Sequence, residues 1–302
     1  MIRNLLLLGI RFLYWAGLPK NTYYGVRKYL ITPLKLTVKR ERLVFVRGVR
    51  MRLHINDWIQ QQLYFLRIYQ SERYETFFWE RLIQPGQTIL DVGANVGYYT
   101  LLAADRLGPN GVVYAFEPVN QNFHRLNDNL ELNHFEHVIP VKYALGAEIN
   151  RSVKIYLGQD EEWGMSSITE HSARSGHTEI IPVNTLDHFV SEYGLSQLDI
   201  LKMDVEGYEP LVLQGGMQAL RKYKPVLLIE LFNEILARQQ FSCEDVFSVL
   251  EHIGYAAFAI EKNLHLRRLS VPEEGGMIVF IPPERRKTME SLFPFDPPRS
   301  GE

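Results

Sequence analysis

The chain has 302 residues, 46% hydrophobic and 23% charged, which is ordinary globular usage and leaves room for one large domain or two modest ones. Lysine and arginine total 33 against 35 acidic residues, a formal charge of −2 that offers a phosphate backbone no overall attraction and argues against a dedicated nucleic-acid binder. Cys243 is the only cysteine, which excludes an internal disulfide framework and a thiolate zinc cage.

Residues 5–17, LLLLGIRFLYWAG, form the first apolar run. Arg11 interrupts it, and it falls short of the roughly 20 residues a spanning helix needs. It has no clear small-x-small cleavage site and makes a poor secretory signal. On a helix, Arg3, Asn4 and Arg11 share one narrow face, and the remaining surface is leucine, isoleucine and aromatic. Tyr14 and Trp15 beside basic residues suit a membrane interface, so peripheral membrane contact through residues 1–20 is one expected partnership. Packing on the main domain or on a second subunit is the commoner fate of such a helix. Arg3, Arg11, Lys20, Arg27 and Lys28 load the first thirty residues with positive charge and no acid. Further on, the alternation of Leu36 and Val38, Leu43 and Phe45, then Met51, Leu53 and Ile55 predicts a hairpin with Gly48 at its turn. Residues 57–83 show helical spacing with many aromatics, closed by Pro85-Gly86. Residues 1–84 therefore read as an extension of apolar helix, hairpin and aromatic-rich helices rather than an independent fold.

From Thr88 the texture changes. Short apolar runs at 88–92, 111–116, 138–144, 198–203, 225–231, 256–260 and 277–281 alternate with amphipathic stretches. Helices are expected after Asn95, after Pro118 with Asn120 as cap, from Pro210, and from Ser242, where Ser242 and Asp245 resemble a capping box and Gly254 the stop. Such alternation predicts an α/β fold, a mostly parallel sheet with helices on both faces, over residues 85–283. Residues 152–157 and 179–183 read as an extra pair of strands around a polar insertion. Residues 284–302 read as a flexible tail.

The strongest motif is TILDVGANVGYYT at 88–100. It is a buried strand ending at Asp91, a loop of Gly93, Ala94, Asn95, Val96 and Gly97, then a helix. Glycines let the backbone turn and approach a ligand, and such a loop at the carboxyl end of the first strand is where doubly wound sheets bind nucleotides. Glu117 ends the next strand twenty residues past Gly97, placed to accept ribose hydroxyls. Asn95 stands where the dinucleotide fingerprint has its second glycine, which disfavours NAD. A ligand with a ribose, an ammonium group and no phosphate suits Asp91 better, and S-adenosylmethionine is such a ligand. LDILKMDVEGYEP at 198–210 runs from a strand into Lys202, Asp204, Glu206 and Glu209. If the strand stays extended, the first three share one side at the ligand-binding edge, a candidate acid/base site. These carboxylates also suit a divalent cation, although nothing in the pattern demands one. Glu209 reads as a helix start.

In this order, DVGANVGYYT, AFEP with Asn120, Asn122, Leu126, Asn129 and Asn133 downstream, ALG at 144–146, TLD at 185–187, LKMDVEGYE at 201–209 and PVLLIEL at 225–231 resemble the FkbM-type S-adenosylmethionine-dependent methyltransferases over about residues 70–282. The resemblance implies a Rossmann-like class I methyltransferase fold with a seven-stranded sheet whose last strand is antiparallel. It implies S-adenosyl-L-methionine as cofactor and transfer to oxygen on a sugar, glycan or secondary-metabolite hydroxyl. Carried over, Asp91, Gly93, Ala94, Asn95, Gly97 and Tyr99 would surround the methionine part, Glu117 with Pro118 the ribose, and Ala144 with Leu145 the adenine. Lys202, Asp204 and Glu206 would lie at the methyl group. The polar insertion supplies Ser166, Ser167 and His171 as substrate-binding candidates, with His171 or His177 as a further possible base.

Three rivals stand beside this reading. An NAD-dependent Rossmann enzyme is disfavoured by Asn95. A nucleic-acid methyltransferase lacks a basic face. A non-catalytic, membrane-associated protein could keep the fold, but the loop, Glu117 and Asp204 each retain their expected chemistry. The expected location is cytoplasmic, with peripheral membrane association as an addition. The sequence sets no oligomeric state.

Overall fold

The computed structural model describes residues 2–37, 41–157, 178–273 and 275–296. Ser166, Ser167, His171 and His177 lie outside the described residues. The extension comprises α1 (Ile2–Trp15), α2 (Tyr23–Val26), β1 (Glu41–Val46), β2 (Val49–His54), α3 (Trp58–Leu66) and α4 (Arg73–Leu82). The hairpin turns through Arg47 and Gly48, whose φ values of 48° and 105° are the positive pair that matches strand twist. The first strand starts later than its pattern suggests. Leu36 is not extended but sits in a turn behind Pro33, its N–H donating to Ile31 O at 3.1 Å. Asp57 caps α3 by accepting from the N–H groups of Ile59 and Gln60.

The sheet strands then follow as β3 (Thr88–Val92), β4 (Val112–Phe116) and β5 (Val138–Val141), separated by α5 (Tyr98–Leu107) and α6 (Asn120–Glu131). The short β6 (Ala144–Leu145), with β7 (Arg151–Tyr156) and β8 (Thr178–Asn184), makes a separate three-stranded sheet, in which β7 and β8 are the antiparallel pair expected at 152–183. Next come α7 (Leu186–Glu192), β9 (Ile200–Met203), α8 (Glu209–Gln214), α9 (Met217–Tyr223), β10 (Val226–Leu231), α10 (Asn233–Leu236) and α11 (Cys243–His252). The chain closes with β11 (Ala256–Ile260), β12 (Leu266–Leu269), β13 (Gly276–Ile281) and α12 (Arg286–Leu292). The capping box of Ser242 and Asp245 is present at α11. Asn120, expected as a cap, is instead the first residue of α6; its N–H and Nδ2 both donate to Glu179 Oε2 at 3.0 Å.

The main sheet has the order β12-β11-β13-β10-β9-β3-β4-β5. It is parallel from β10 through β5, and β13 runs antiparallel between β10 and β11. The expected seven strands are therefore eight. The added edge strand β12 reads LRRL: Leu266 and Leu269 are buried, while Arg267 pairs with Glu261 and Glu273. Two central arginines hide it from an apolar-run criterion and also shield a sheet edge from pairing.

Of the segment expected as a flexible tail, residues 284–296 are described and pack on the domain, while 297–302 lie outside the described residues. Helix α12 leads to Phe293, which stacks on Phe78 at 4.2 Å, and Phe295 meets Phe258 edge-on at 5.3 Å. Two aromatics and Met289 supply the buried area that holds this stretch down. An apolar core fills each face of the sheet. One core joins Phe78 and Trp79 of α4 to Ile89 and Leu101, so extension and sheet share it. A polar clasp adds to this. Asn129 on α6 and Asn133 in the turn just after it accept from the backbone N–H groups of Arg52 and Arg50, and their side-chain amides donate to Val96 O and Arg50 O. These asparagines satisfy the open edge of β2 and tie it to the glycine loop.

Candidate active site

β3 and β9 run side by side with Asp91 opposite Lys202. Alternation sends both side chains to the same face, where they are buried. The Lys202 ammonium lies 3.7 Å from Asp91 Oδ1 and 3.6 Å from Asp204 Oδ2, and 4.7 Å over the Tyr99 ring. Burial works against this charge, but the carboxylates of Asp204, Asp91, Glu72 and Glu230 outweigh it and raise the Lys202 pKa. Thr100 Oγ1 donates to Asp91 Oδ2 at 2.6 Å, while the buried Asp91 Oδ1 has no hydrogen-bond partner among the described residues.

The loop after β3 bends around this pair. Gly93 has φ +87°, and a Cβ there would stand 2.0 Å from the backbone oxygen of Asp204. Asn95 takes φ 52°, the left-handed conformation that asparagine tolerates better than most residues. It thus supplies the turn for which a glycine is usually needed. The N–H groups of Asn95 and Val119 donate to the two oxygens of Glu117, each at 2.9 Å. Gly97 does not reach the cavity. Its φ is +93° and its missing Cβ makes room for Leu126 of α6, 2.8 Å from where that Cβ would be. Its place is helix packing rather than ligand contact.

The other expected residues converge on one cavity of about 240 Å³. Asp91, Gly93, Ala94, Asn95, Tyr99, Glu117, Pro118, Ala144, Leu145, Lys202, Asp204 and Glu206 all line it. The expected reason for Glu206 fails, however. The strand stops at Met203, and Glu206 enters the cavity from a turn with φ 54°, a conformation rare for glutamate and a common mark of functional strain. Glu209 begins α8 as expected and accepts from Val205 N–H at 2.9 Å. The described residues contain no group of three or more His, Cys, Asp or Glu side chains with metal-holding geometry.

Two acids were missing from the sequence reading. Leu228 of β10 pairs with Lys202, so Glu230 falls beside Asp204 two residues on, at the same carboxyl edge. The Asp204 charge, burial and a hydrogen bond to Asp204 together raise Glu230 far above the ordinary carboxylate range. Two carboxyl groups can share a hydrogen bond only if one of them holds a proton. An acid inside the apolar run PVLLIEL was the available signal. The second acid is Glu72, which precedes α4 in the extension and accepts from Tyr99 OH at 2.8 Å. Nothing in its local sequence marks it. It enters the cavity beside Tyr69 and Ile59 of the same extension.

Glu72, Glu117, Glu206 and Glu209 are each pushed up to about 7, burial being the first cause every time. Their ordinary value is 4.5, so between these values the folded chain binds more protons than the unfolded one. Stability then falls as pH rises through that window. The melting temperature of the protein alone is expected to drop between about pH 5 and about pH 8. Scanning calorimetry across the range checks this, and a midpoint that rises instead contradicts it.

The family model for the methyltransferase FkbM domain matches residues 91–257, more than half of the chain. Over 217 residues the chain is 25% identical to the AMB antimetabolite synthetase AmbE of Pseudomonas aeruginosa, covering 59% of this chain and 10% of that protein. Over 148 residues it is 28% identical to the hexuronic acid methyltransferase AglP of Haloferax volcanii, covering 48% of this chain and 56% of that protein. The chain thus spans a tenth of the first relative and little more than half of the second. Among solved structures, methyltransferase FkbM from Methylobacillus flagellatus aligns with a TM-score of 0.40 at 16% identity, over 74% of this chain and 55% of that one. The matched stretch contains the glycine loop, Glu117, Asp204 and Glu230, and the chain belongs to the FkbM family of S-adenosylmethionine-dependent methyltransferases.

Proposed function

We propose that this methyltransferase acts on a hydroxyl oxygen of a small sugar-like or secondary-metabolite acceptor. The observation that carries the reading is the carboxyl pair Asp204 and Glu230 lining the cavity, with the Lys202 ammonium 3.6 Å from Asp204. S-adenosylmethionine supplies a methyl group already activated on a sulfonium sulfur. What remains for the chain is to align the acceptor and take its proton.

The residues present fit that cofactor. Asp91 Oδ1, which has the Lys202 ammonium at 3.7 Å but no hydrogen bond among the described residues, can accept from an ammonium group, and Gly93 lets the loop close against the Asp204 backbone at the cavity wall. Asp91, Gly93, Ala94, Asn95 and Tyr99 would hold the amino-acid end. Glu117, whose oxygens keep spare lone pairs beyond their two backbone bonds, would take the ribose hydroxyls with Pro118 alongside. Ala144 and Leu145 would flank the base. Asp204 is the base in this reading. Lys202 orients it, and Glu230 and Glu206 surround the acceptor hydroxyl. The names of AglP, a hexuronic acid methyltransferase, and AmbE, an antimetabolite synthetase, support an acceptor of this kind.

The test is transfer of labelled methyl from the cofactor to separate pools of sugars and hexuronic acids, secondary metabolites, proteins and RNA. The expected result is label in the first or second pool, resistant to mild alkali as a methyl ether is. Label confined to RNA or protein, or to nitrogen, would overturn the acceptor assignment.

A further inference from the structure

A helix on a protein surface normally turns its polar side to water and its apolar side to the core. Helix α1 is apolar both inward and outward. Leu7, Ile10 and Tyr14 pack inward, Tyr14 against Phe65 at 6.5 Å. Two of its three polar residues also contact the body: Asn4 Oδ1 accepts from Arg42 at 2.9 Å, and the Arg11 guanidinium sits 4.8 Å over the Tyr64 ring. The outward surface is left to Ile2, Leu5, Leu8, Phe12, Leu13 and Trp15, each more than half exposed. No charged side chain interrupts that face. An apolar patch of this kind on a soluble protein marks an interaction surface.

Charge selects the occupant. The first forty residues hold eight lysines and arginines and no acid, leaving 25 basic against 35 acidic residues elsewhere. Lys20, Lys28 and Lys35 are exposed in the segment that follows α1, interleaved with exposed Tyr24 and Tyr29. A second copy docked through this face would bring the basic segment against itself, which like-charge repulsion disfavours. An anionic surface that also accepts apolar side chains meets both demands. No helix among the described residues is long and apolar enough to cross a membrane, so α1 would lie in the interface plane.

We propose that the outward face of α1, with the basic segment behind it, docks the enzyme on an anionic lipid bilayer. The inference is independent of which acceptor is methylated.

The experiment is flotation of the full chain with vesicles of phosphatidylcholine alone and of phosphatidylcholine mixed with phosphatidylglycerol. The expected result is partitioning on the order of tenfold stronger on the anionic vesicles at about 0.1 M salt. Leu5→Gln with Phe12→Gln removes apolar insertion without changing charge, and Lys20→Gln with Lys28→Gln removes charge without touching the apolar face. Each pair is expected to weaken flotation by about tenfold. Unchanged circular dichroism and unchanged S-adenosylhomocysteine binding show that the variants are folded. Wild-type protein that fails to float on anionic vesicles overturns the proposal, as does an apolar double variant that floats like wild type. A vesicle-free dimer that Leu5→Gln/Phe12→Gln converts to monomer would assign the face to a second copy and overturn the lipid reading.

Discussion

Asp204→Asn is expected to lower turnover by on the order of 10²- to 10³-fold, while S-adenosylhomocysteine affinity stays within about threefold of wild type. Asparagine keeps the size of the side chain and its place near Lys202 but cannot accept the acceptor proton. The Asp91 and Lys202 pairing on the cofactor side remains, which is why binding should survive. A second consequence separates a base from a merely structural residue. The charge on Asp204 is the first cause that raises Glu230 above the ordinary carboxylate range. Removing that charge lets Glu230 ionise at lower pH, so the residual activity of Asp204→Asn should depend on pH differently from wild type. Adding Glu230→Gln should then remove this residual activity, and the two losses should not simply add. Stopped-time assays of methyl transfer across pH, with calorimetric titration of S-adenosylhomocysteine, decide the matter. Wild-type turnover in Asp204→Asn would sink the assignment.

Gly93→Ala is expected to cost about 3 kcal/mol of stability and most of the cofactor affinity. Two effects coincide there. The φ of +87° disfavours any side chain, and the new Cβ would lie 2.0 Å from Asp204 O. That neighbour is backbone, tied by the Asp204 N–H to Val92 O at 3.0 Å, so it cannot swing aside as a flexible side chain would. Either the loop moves off the Asn95 and Glu117 contact or Asp204 moves off Lys202. In both cases cofactor affinity should fall by roughly a hundredfold or more, and the melting temperature by about 5–10 °C. Gly254→Ala is the control: its φ of +92° is similar, but a Cβ there meets nothing within 4 Å, so only the conformational part of the cost applies. Equal losses at the two sites would refute the close-approach argument.

Much of this architecture was legible from one sequence because parallel strands buried on both faces are short, apolar and separated by amphipathic helices. Asp91, Asn95 and Glu117 stood out because each interrupts or ends such a run at its carboxyl edge. Glu230 follows the same rule, an acid near the carboxyl end of the run from Val226 to Leu231, but the apolar residues on either side of it mask the signal. Glu72 was beyond reach. It enters the cavity through the packing of α4 on α5, a tertiary fact with no local periodicity. β12 and residues 284–296 differ from the sequence expectation for opposite reasons. The first is a strand of two arginines whose ion pairs hide it. The second is a proline-rich ending whose few aromatics find deep partners.

The asparagine clasp between α6 and β2 bears on how the molecule comes apart. Asn129 spans two regions at once, accepting from Arg52 N–H on the hairpin and donating to Val96 O in the glycine loop. The hairpin cannot peel away without orphaning a buried amide and loosening the glycine loop at the cavity. Extension and sheet therefore constitute a single cooperative unit in unfolding. A probe in Trp79 of the extension and a probe of cofactor binding should lose their signals at the same denaturant concentration.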